Sequence, residues 1–186
     1  MNIAQAVGLF LSLYKEVEGE GSEVPFPGSS DAWTALHTDT SQDILARFHI
    51  YASTHPEQTS GRAFNVVDGP ATTWQEVWPQ ICAYFGLKGV GPASSGQVFS
   101  AQEWMEGHSS DWSAWVAKNG LREGALEGTG WSFMQAVIGI PFRRDYDASA
   151  SREIGFTEER PHAEGYKLAF EQMRRARMIP STLSDL

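Results

Sequence analysis

The chain has 186 residues, 41 % of them hydrophobic, and a formal net charge of −9. That length suffices for one well-packed domain, and an acidic chain whose basic cluster is confined to Arg174, Arg175 and Arg177 makes a poor nucleic-acid partner. The single cysteine, Cys82, excludes an intramolecular disulfide, and the apolar run 3–13 is too short to span a bilayer and follows no basic segment, so a soluble, cytoplasmic protein is expected.

Ile3, Val7, Phe10, Tyr14 and Val17 recur at helical spacing, and Leu9, Leu11 and Leu13 widen the stripe, predicting a first helix buried on most sides and ended by Gly19 and Gly21. Glu23 to Phe26 reads as a short strand closed by Pro27-Gly28, and Trp33 to Thr38 as a second extended segment. Thr40-Ser-Gln-Asp43 resembles a capping box and opens a helix to about Ser53 carrying Ile44, Leu45, Phe48 and Tyr51. Ala63 to Val67 is read as a strand turned by Asp68-Gly-Pro70. Thr73-Trp-Gln-Glu76 is a stronger capping box; its helix runs to Gly86, with Pro79 expected to kink it or loosen one backbone bond.

Pro92 to Gly96 reads as a loop of small residues. Ser100 caps a short helix with Trp104 and Met105, Ser110 starts one with Trp112, Trp115 and Val116 on one side, and Thr129 caps one through Ile138. Ser149 to Ile154 is a helical turn, and the last helix spans about Pro161 to Met178 with Tyr166, Phe170 and Met173 as its stripe. Glu158 and Glu159 before it and the arginines at its end suit the helix dipole.

Six of the seven tryptophans fall between Trp74 and Trp131, a density that fits an apolar core or an apolar pocket. His37 and Asp39 sit together in the loop before the second helix, where a neighbouring carboxylate can make a histidine a tuned base, although the favoured reading is a structural loop in which Asp39 turns the chain. His49 and His55 are not on one helical face, no Cys/His cluster has zinc spacing, and no serine sits in a nucleophile elbow. Cys82 lies in an apolar helical stretch, where packing is the expected role. Trp131, Met134, Gln135 and Ile138 share one face of their helix; Gln135 is the polar group there, able to hydrogen-bond a carbonyl.

Phe26-Pro27-Gly28, Gly61-Arg-Ala-Phe-Asn-Val-Val-Asp-Gly69, Thr73-Trp-Gln-Glu-Val-Trp-Pro79, Tyr84-Phe-Gly-Leu87, Ser149 to Phe156 and Met178-Ile-Pro180 occur in an ordered series along nearly the whole chain. The series resembles the C-terminal, substrate-binding half of extended short-chain dehydrogenases/reductases of the progesterone 5β-reductase and iridoid synthase-like family. The resemblance implies an α+β, mostly helical single domain over residues 1–186, with a few short strands and the NAD(P)-binding Rossmann half missing. The family holds NADPH on a glycine-rich turn at a helix N-terminus. Gly86 to Gly96 is glycine-rich but follows a helix, and the resemblance places the family's catalytic tyrosine and lysine before Met1. No cofactor and no independent hydride transfer are therefore expected.

In that family a strand like Ala63–Val67 pairs inside a large parallel sheet. Without it, that edge and the Leu9 and Leu13 side of the first helix need cover from a homodimer, a partner subunit or a rearranged core. The family reduces conjugated enones and enals and includes fungal secondary-metabolism proteins. Its resemblance implies that the helix of Trp131, Met134, Gln135 and Ile138 lines an apolar substrate pocket, with Trp104, Trp112 and Trp115 as candidates for the facing wall. The leading expectation is a redox-neutral cyclase or isomerase, of Diels–Alder type among the options, acting on an apolar terpenoid or polyketide by holding it in a folded near-attack shape. The alternatives are a partial NADPH-dependent enone reductase, truncated or in two subunits, and a non-catalytic binder of an apolar metabolite.

Overall fold

The computed structural model describes residues 2–93 and 98–181. Helix α1 (Ile3–Glu18) is the axis of the core. Asn2 caps it by accepting the Ala4 N–H, and Gly19, at φ +93, ends it with its N–H on the Lys15 carbonyl. Every residue from Ala6 to Tyr14 is buried, Leu9 and Leu13 included. The expected exposed side of α1 thus does not occur: the chain's own later helices wrap it, with α10 (His162–Arg175) along one side and α8 (Trp131–Ile138) along another. Gly8 allows the close α10 approach, since a Cβ there would lie 3.0 Å from Met173 and Phe170.

Strand β1 (Glu23–Pro25) pairs in parallel with β2 (Lys88–Val90), Val24 opposite Gly89. The β2 strand lies inside the glycine-rich stretch read from sequence as loop. It forms because Gly89 lets the backbone lie against α5 (Trp74–Tyr84); a Cβ would sit 2.8 Å from the Trp78 carbonyl. Tyr14 donates its hydroxyl to the Glu23 carbonyl (2.9 Å) and Trp78 its indole N–H to Val24 (3.1 Å), so α1 and α5 both grip β1.

Several expected elements shift. Residues 33–38 are not a strand: Ser29 accepts the Ala32 N–H at 3.1 Å and starts helix α2 (Ser30–Thr34), leaving His37 as a single bridge residue between Thr72 and Arg144. Residues 63–67 run without a ladder because no neighbouring strand stands beside them among the described residues; Phe64 and Val66 instead pack with Phe48 and Phe156 in a second, smaller core. Helix α3 (Gln42–Thr54) starts at Ser41, whose hydroxyl bonds Asp43 and Asp68 rather than closing a box from Thr40. The Thr73–Glu76 box on α5 does form, and α5 stays helical through Pro79.

The short helix α4 (Pro56–Thr59) follows α3. Helices α6 (Ala101–Gly107) and α7 (Trp112–Lys118) are joined by a 3-10 turn, and Thr129 does not cap α8, because its hydroxyl donates to Ala125. Helix α9 (Ser149–Glu153) precedes α10. Of the expected 92–96 loop, residues 94–96 lie outside the described residues. Among the described residues no helix is long and apolar enough to cross a membrane.

Candidate functional site

Helix α8 reads Trp-Ser-Phe-Met-Gln-Ala-Val-Ile and is apolar on nearly all sides. Such a helix has two apolar faces, and packing decides which one remains open. Trp131, Met134 and Ile138 turn into the main core, where Trp131 meets Trp112 at 6.1 Å between ring centroids. Trp112 and Trp115 are buried with them, and the three indole N–H groups meet no acceptor among the described residues. Trp104 packs on Phe10 and Tyr14 and is stacked by His108 at 4.1 Å. The aromatic wall expected from the sequence is thus the packing of the core.

Gln135 lies at the edge of that face with its amide oxygen and one amide hydrogen bonded to backbone. It donates to the Pro27 carbonyl (2.8 Å) and accepts the Ala101 N–H (2.9 Å), bracing α8 against the turn after β1 and the start of α6. These two bonds position the helix and leave the second amide hydrogen without a partner among the described residues.

The opposite face of α8 is open. Phe133 is 43 % exposed, Ala136 is exposed and Val137 half-exposed, a run at helical spacing that continues to Ile140. Beyond Gly139 the chain carries Phe142, 65 % exposed, and then runs beside residues 36–38: Arg144 N–H donates to the Leu36 carbonyl (2.9 Å) and Tyr146 N–H to the Thr38 hydroxyl (3.2 Å). Leu36 and Tyr146 are exposed too. These apolar side chains are thus left open at the surface. Sequence periodicity alone could not find this face, since both sides of α8 carry the same residue types.

His37 and Asp39 sit on the inner side of the same segment. His37 is 1 % exposed, stacks on Trp74 at 4.9 Å, and has Nε2 3.6 Å from Asp39 Oδ2. Burial holds the imidazole below its ordinary pKa, outweighing the pull of Asp39, while Arg144 pushes the same way as burial. Asp39 also receives the Tyr166 hydroxyl at 3.3 Å and stands 3.8 Å from Arg144. Beside it, Asp68 is 1 % exposed and accepts both the Ser41 N–H (2.6 Å) and hydroxyl (2.8 Å) on one oxygen. A cavity of about 480 Å³ opens between the N-termini of α1 and α3 and the side of α10, with Asp39, Asp68 and Tyr166 on its wall and none of the Trp131 face.

Burial lifts the Asp68 carboxyl above its ordinary value of 3.8, against the lowering pull of Ser41 and His162. The folded chain therefore holds this proton more tightly than the unfolded chain. Its stabilising contribution is full below pH 3.8 and declines as pH rises through the raised folded pKa. Asp68→Asn is expected to flatten that decline. Urea midpoints of wild type and variant, compared from pH 3 to 8, check it: a difference that does not change with pH would show that Asp68 titrates normally.

The described residues here do not fit a nicotinamide dinucleotide. After β2 the next helix is α6, whose first N–H groups are already taken by Gln135 (at Ala101) and by the Ser100 hydroxyl (at Glu103, 3.1 Å). Gly89 is pressed on α5 and Gly91 faces Trp33, so neither is free to cradle a pyrophosphate. One Tyr-x-x-x-Lys spacing occurs, Tyr84 to Lys88, but Gly86 at φ +75 breaks α5 between them and Lys88 lies on β2. Burial and the bond to Glu171 also push the Tyr84 hydroxyl well up, opposite to what a proton donor near neutrality needs.

Comparison with known proteins finds relatives along nearly the whole chain. The short chain dehydrogenase sirR of Leptosphaeria maculans is 33 % identical over 96 % of this chain and 47 % of its own length. The 3-oxo-Delta(4,5)-steroid 5-beta-reductase of Arabidopsis thaliana is 27 % identical over 97 % of the chain and 45 % of its own. The (S)-8-oxocitronellyl enol synthase ISY2 of Nepeta racemosa is 28 % identical over 98 % and 45 %. The chain spans less than half the length of these relatives. A family model described as a PRISE-like Rossmann-fold domain matches residues 1–180, from the cap of α1 to the proline beyond α10, and the chain belongs to that family of short-chain dehydrogenases.

Proposed function

We propose that these residues form the substrate side of a short-chain dehydrogenase/reductase that acts on an apolar enone or enal in natural-product biosynthesis. The nucleotide is carried by a segment outside them, in the same polypeptide or in a partner subunit. The observation that carries this reading is the open apolar face of α8, Phe133, Ala136 and Val137, with Phe142 beyond it. The relatives' names speak for the substrate class, since a 3-oxo steroid and an 8-oxocitronellyl enol both place an oxygen on an apolar carbon frame. A redox-neutral cyclisation or isomerisation would use the same face to fold its substrate. That face bears no acid or base, so the reductase reading stands first.

Progesterone, a conjugated ketone on an apolar frame, is the probe. The 186-residue chain is expected to bind it with quenching of tryptophan fluorescence and to consume no NADPH by itself. Phe133→Asp is expected to weaken binding at least tenfold, as for the lost burial of an aromatic side chain, with the melting temperature nearly unchanged because Phe133 is exposed. Equal affinity in wild type and variant would overturn the reading. Turnover of a polyenal without nicotinamide would replace it with the cyclase.

A further inference from the structure

Residues 139–147 form an exposed span with little packing of its own. Phe142 and Tyr146 point outward, and neither belongs to the two core clusters of the described residues. The span lies along residues 36–38 through two N–H groups, Arg144 to the Leu36 carbonyl (2.9 Å) and Tyr146 to the Thr38 hydroxyl (3.2 Å). Its far end is pinned by the Asn65 amide, which donates to the Asp147 carbonyl (2.8 Å).

From this span Arg144 turns inward, partly buried, to stand 3.8 Å from Asp39 Oδ1. The other Asp39 oxygen faces the Tyr166 hydroxyl (3.3 Å) and His37 Nε2 (3.6 Å), so Oδ1 is left to Arg144. Burial holds the His37 imidazole below its ordinary pKa and Arg144 pushes it the same way, so Asp39 faces one full positive charge. An apolar residue at 144 would fasten the span without desolvating a guanidinium and a carboxylate. What the ion pair supplies is direction: side chain and backbone of one residue are fixed at two neighbouring points, Asp39 and Leu36. Phe142 is two residues away, at most about 7 Å along the chain, and Pro141 on its other side removes backbone freedom through its ring. Fixing Arg144 therefore fixes where Phe142 stands beyond the open face of α8.

We propose that Arg144, held by Asp39, is a positioning residue for the apolar ligand site, setting Phe142 so that its ring meets the same ligand as Phe133, Ala136 and Val137. The inference rests on the reading of the α8 face as the substrate side.

Progesterone binding, followed by tryptophan quenching, tests it. Arg144→Ala is expected to weaken binding by about fivefold or more, the scale of one aromatic contact, and Arg144→Lys, which keeps the charge, to recover most of the loss. Phe142→Ala is expected to weaken it by a similar factor, and the double variant no further than either single one, because both remove the same ring contact. Should Arg144→Ala fail to fold, Asp39→Asn breaks the pair from the other side and is expected to give the same loss. The His37 ring signals, followed by nuclear magnetic resonance across pH, give a readout independent of the ligand. The His37 pKa is expected to rise in Arg144→Ala, where a neighbouring positive charge is gone, and to stay near wild type in Arg144→Lys and Phe142→Ala. Losses that multiply in the double variant, or a His37 titration unmoved by Arg144→Ala, would overturn the proposal. Binding that Phe133→Asp weakens and Arg144→Ala does not would overturn it alone; no binding by the wild-type chain would overturn the substrate reading and the proposal with it.

Discussion

Trp78→Ala is expected to destabilise the fold by about 3–5 kcal/mol, the range for deleting a buried tryptophan from a close-packed core. Trp78 is fully buried, meets Phe26 and Trp74 edge-on at 5.8 and 6.4 Å, and donates its indole N–H to Val24 on β1. Its removal leaves a cavity beneath the sheet and withdraws the indole N–H from the Val24 carbonyl. Against a total stability of roughly 5–15 kcal/mol, the loss is a large fraction of what holds the fold. Thermal melting should fall by roughly 6–20 °C for a chain of this size. Trp78→Phe, which keeps most of the volume and drops the N–H, should fall in between. A loss below about 1 kcal/mol for the alanine variant would mean that the β1–α5 contact closes over the gap.

Gln135→Ala is expected to cost about 2 kcal/mol, because it strips two backbone groups of their partners in one step. The Pro27 carbonyl loses its donor and the Ala101 N–H its acceptor, at two separate junctions of α8 with the rest of the fold. Urea unfolding reads the loss directly. Gln135→Glu separates the two bonds: it keeps an acceptor for Ala101 and sets a carboxylate against the Pro27 carbonyl, so it should be no better than alanine. Unchanged stability in both variants would show the brace to be idle and would return Gln135 to the list of ligand contacts.

Helix positions were largely legible in the sequence because periodic apolar residues and capping boxes are local signals. The α1 stripe, the Thr73–Glu76 box and the Tyr166–Phe170–Met173 stripe all place helices that the fold contains. Among the strands only β1, read as Glu23 to Phe26 and found at Glu23–Pro25, was legible. Residues 63–67 have strand-like residues but no neighbour to bond, while Lys88–Val90 has little strand character and forms a strand because Gly89 fits against α5. At the candidate site, the residues that share one face of α8 by spacing, Trp131, Met134 and Ile138, turn into the core and leave the opposite face open. Which face of α8 turns inward depends on where α1, α6 and α7 lie, and no spacing along the chain encodes that. Asp39 and Asp68 stand 29 positions apart and come together through the bond from the Asp68 N–H to the Asp39 carbonyl, with Ser41 holding the Asp68 carboxyl.

The grip of Tyr14 on β1 has a consequence for growth of the sheet. Phe26 N–H and the Ser22 carbonyl both bond β2, so the alternate residues Glu23 and Pro25 look outward. Glu23's carbonyl is stoppered by the Tyr14 hydroxyl, and Pro25 has no hydrogen to offer. A newcomer strand would have to evict a tyrosine and would still find a blank where it needs a donor. On that flank the ribbon is sealed against addition, whether from a neighbouring molecule or from an extended sheet of its own.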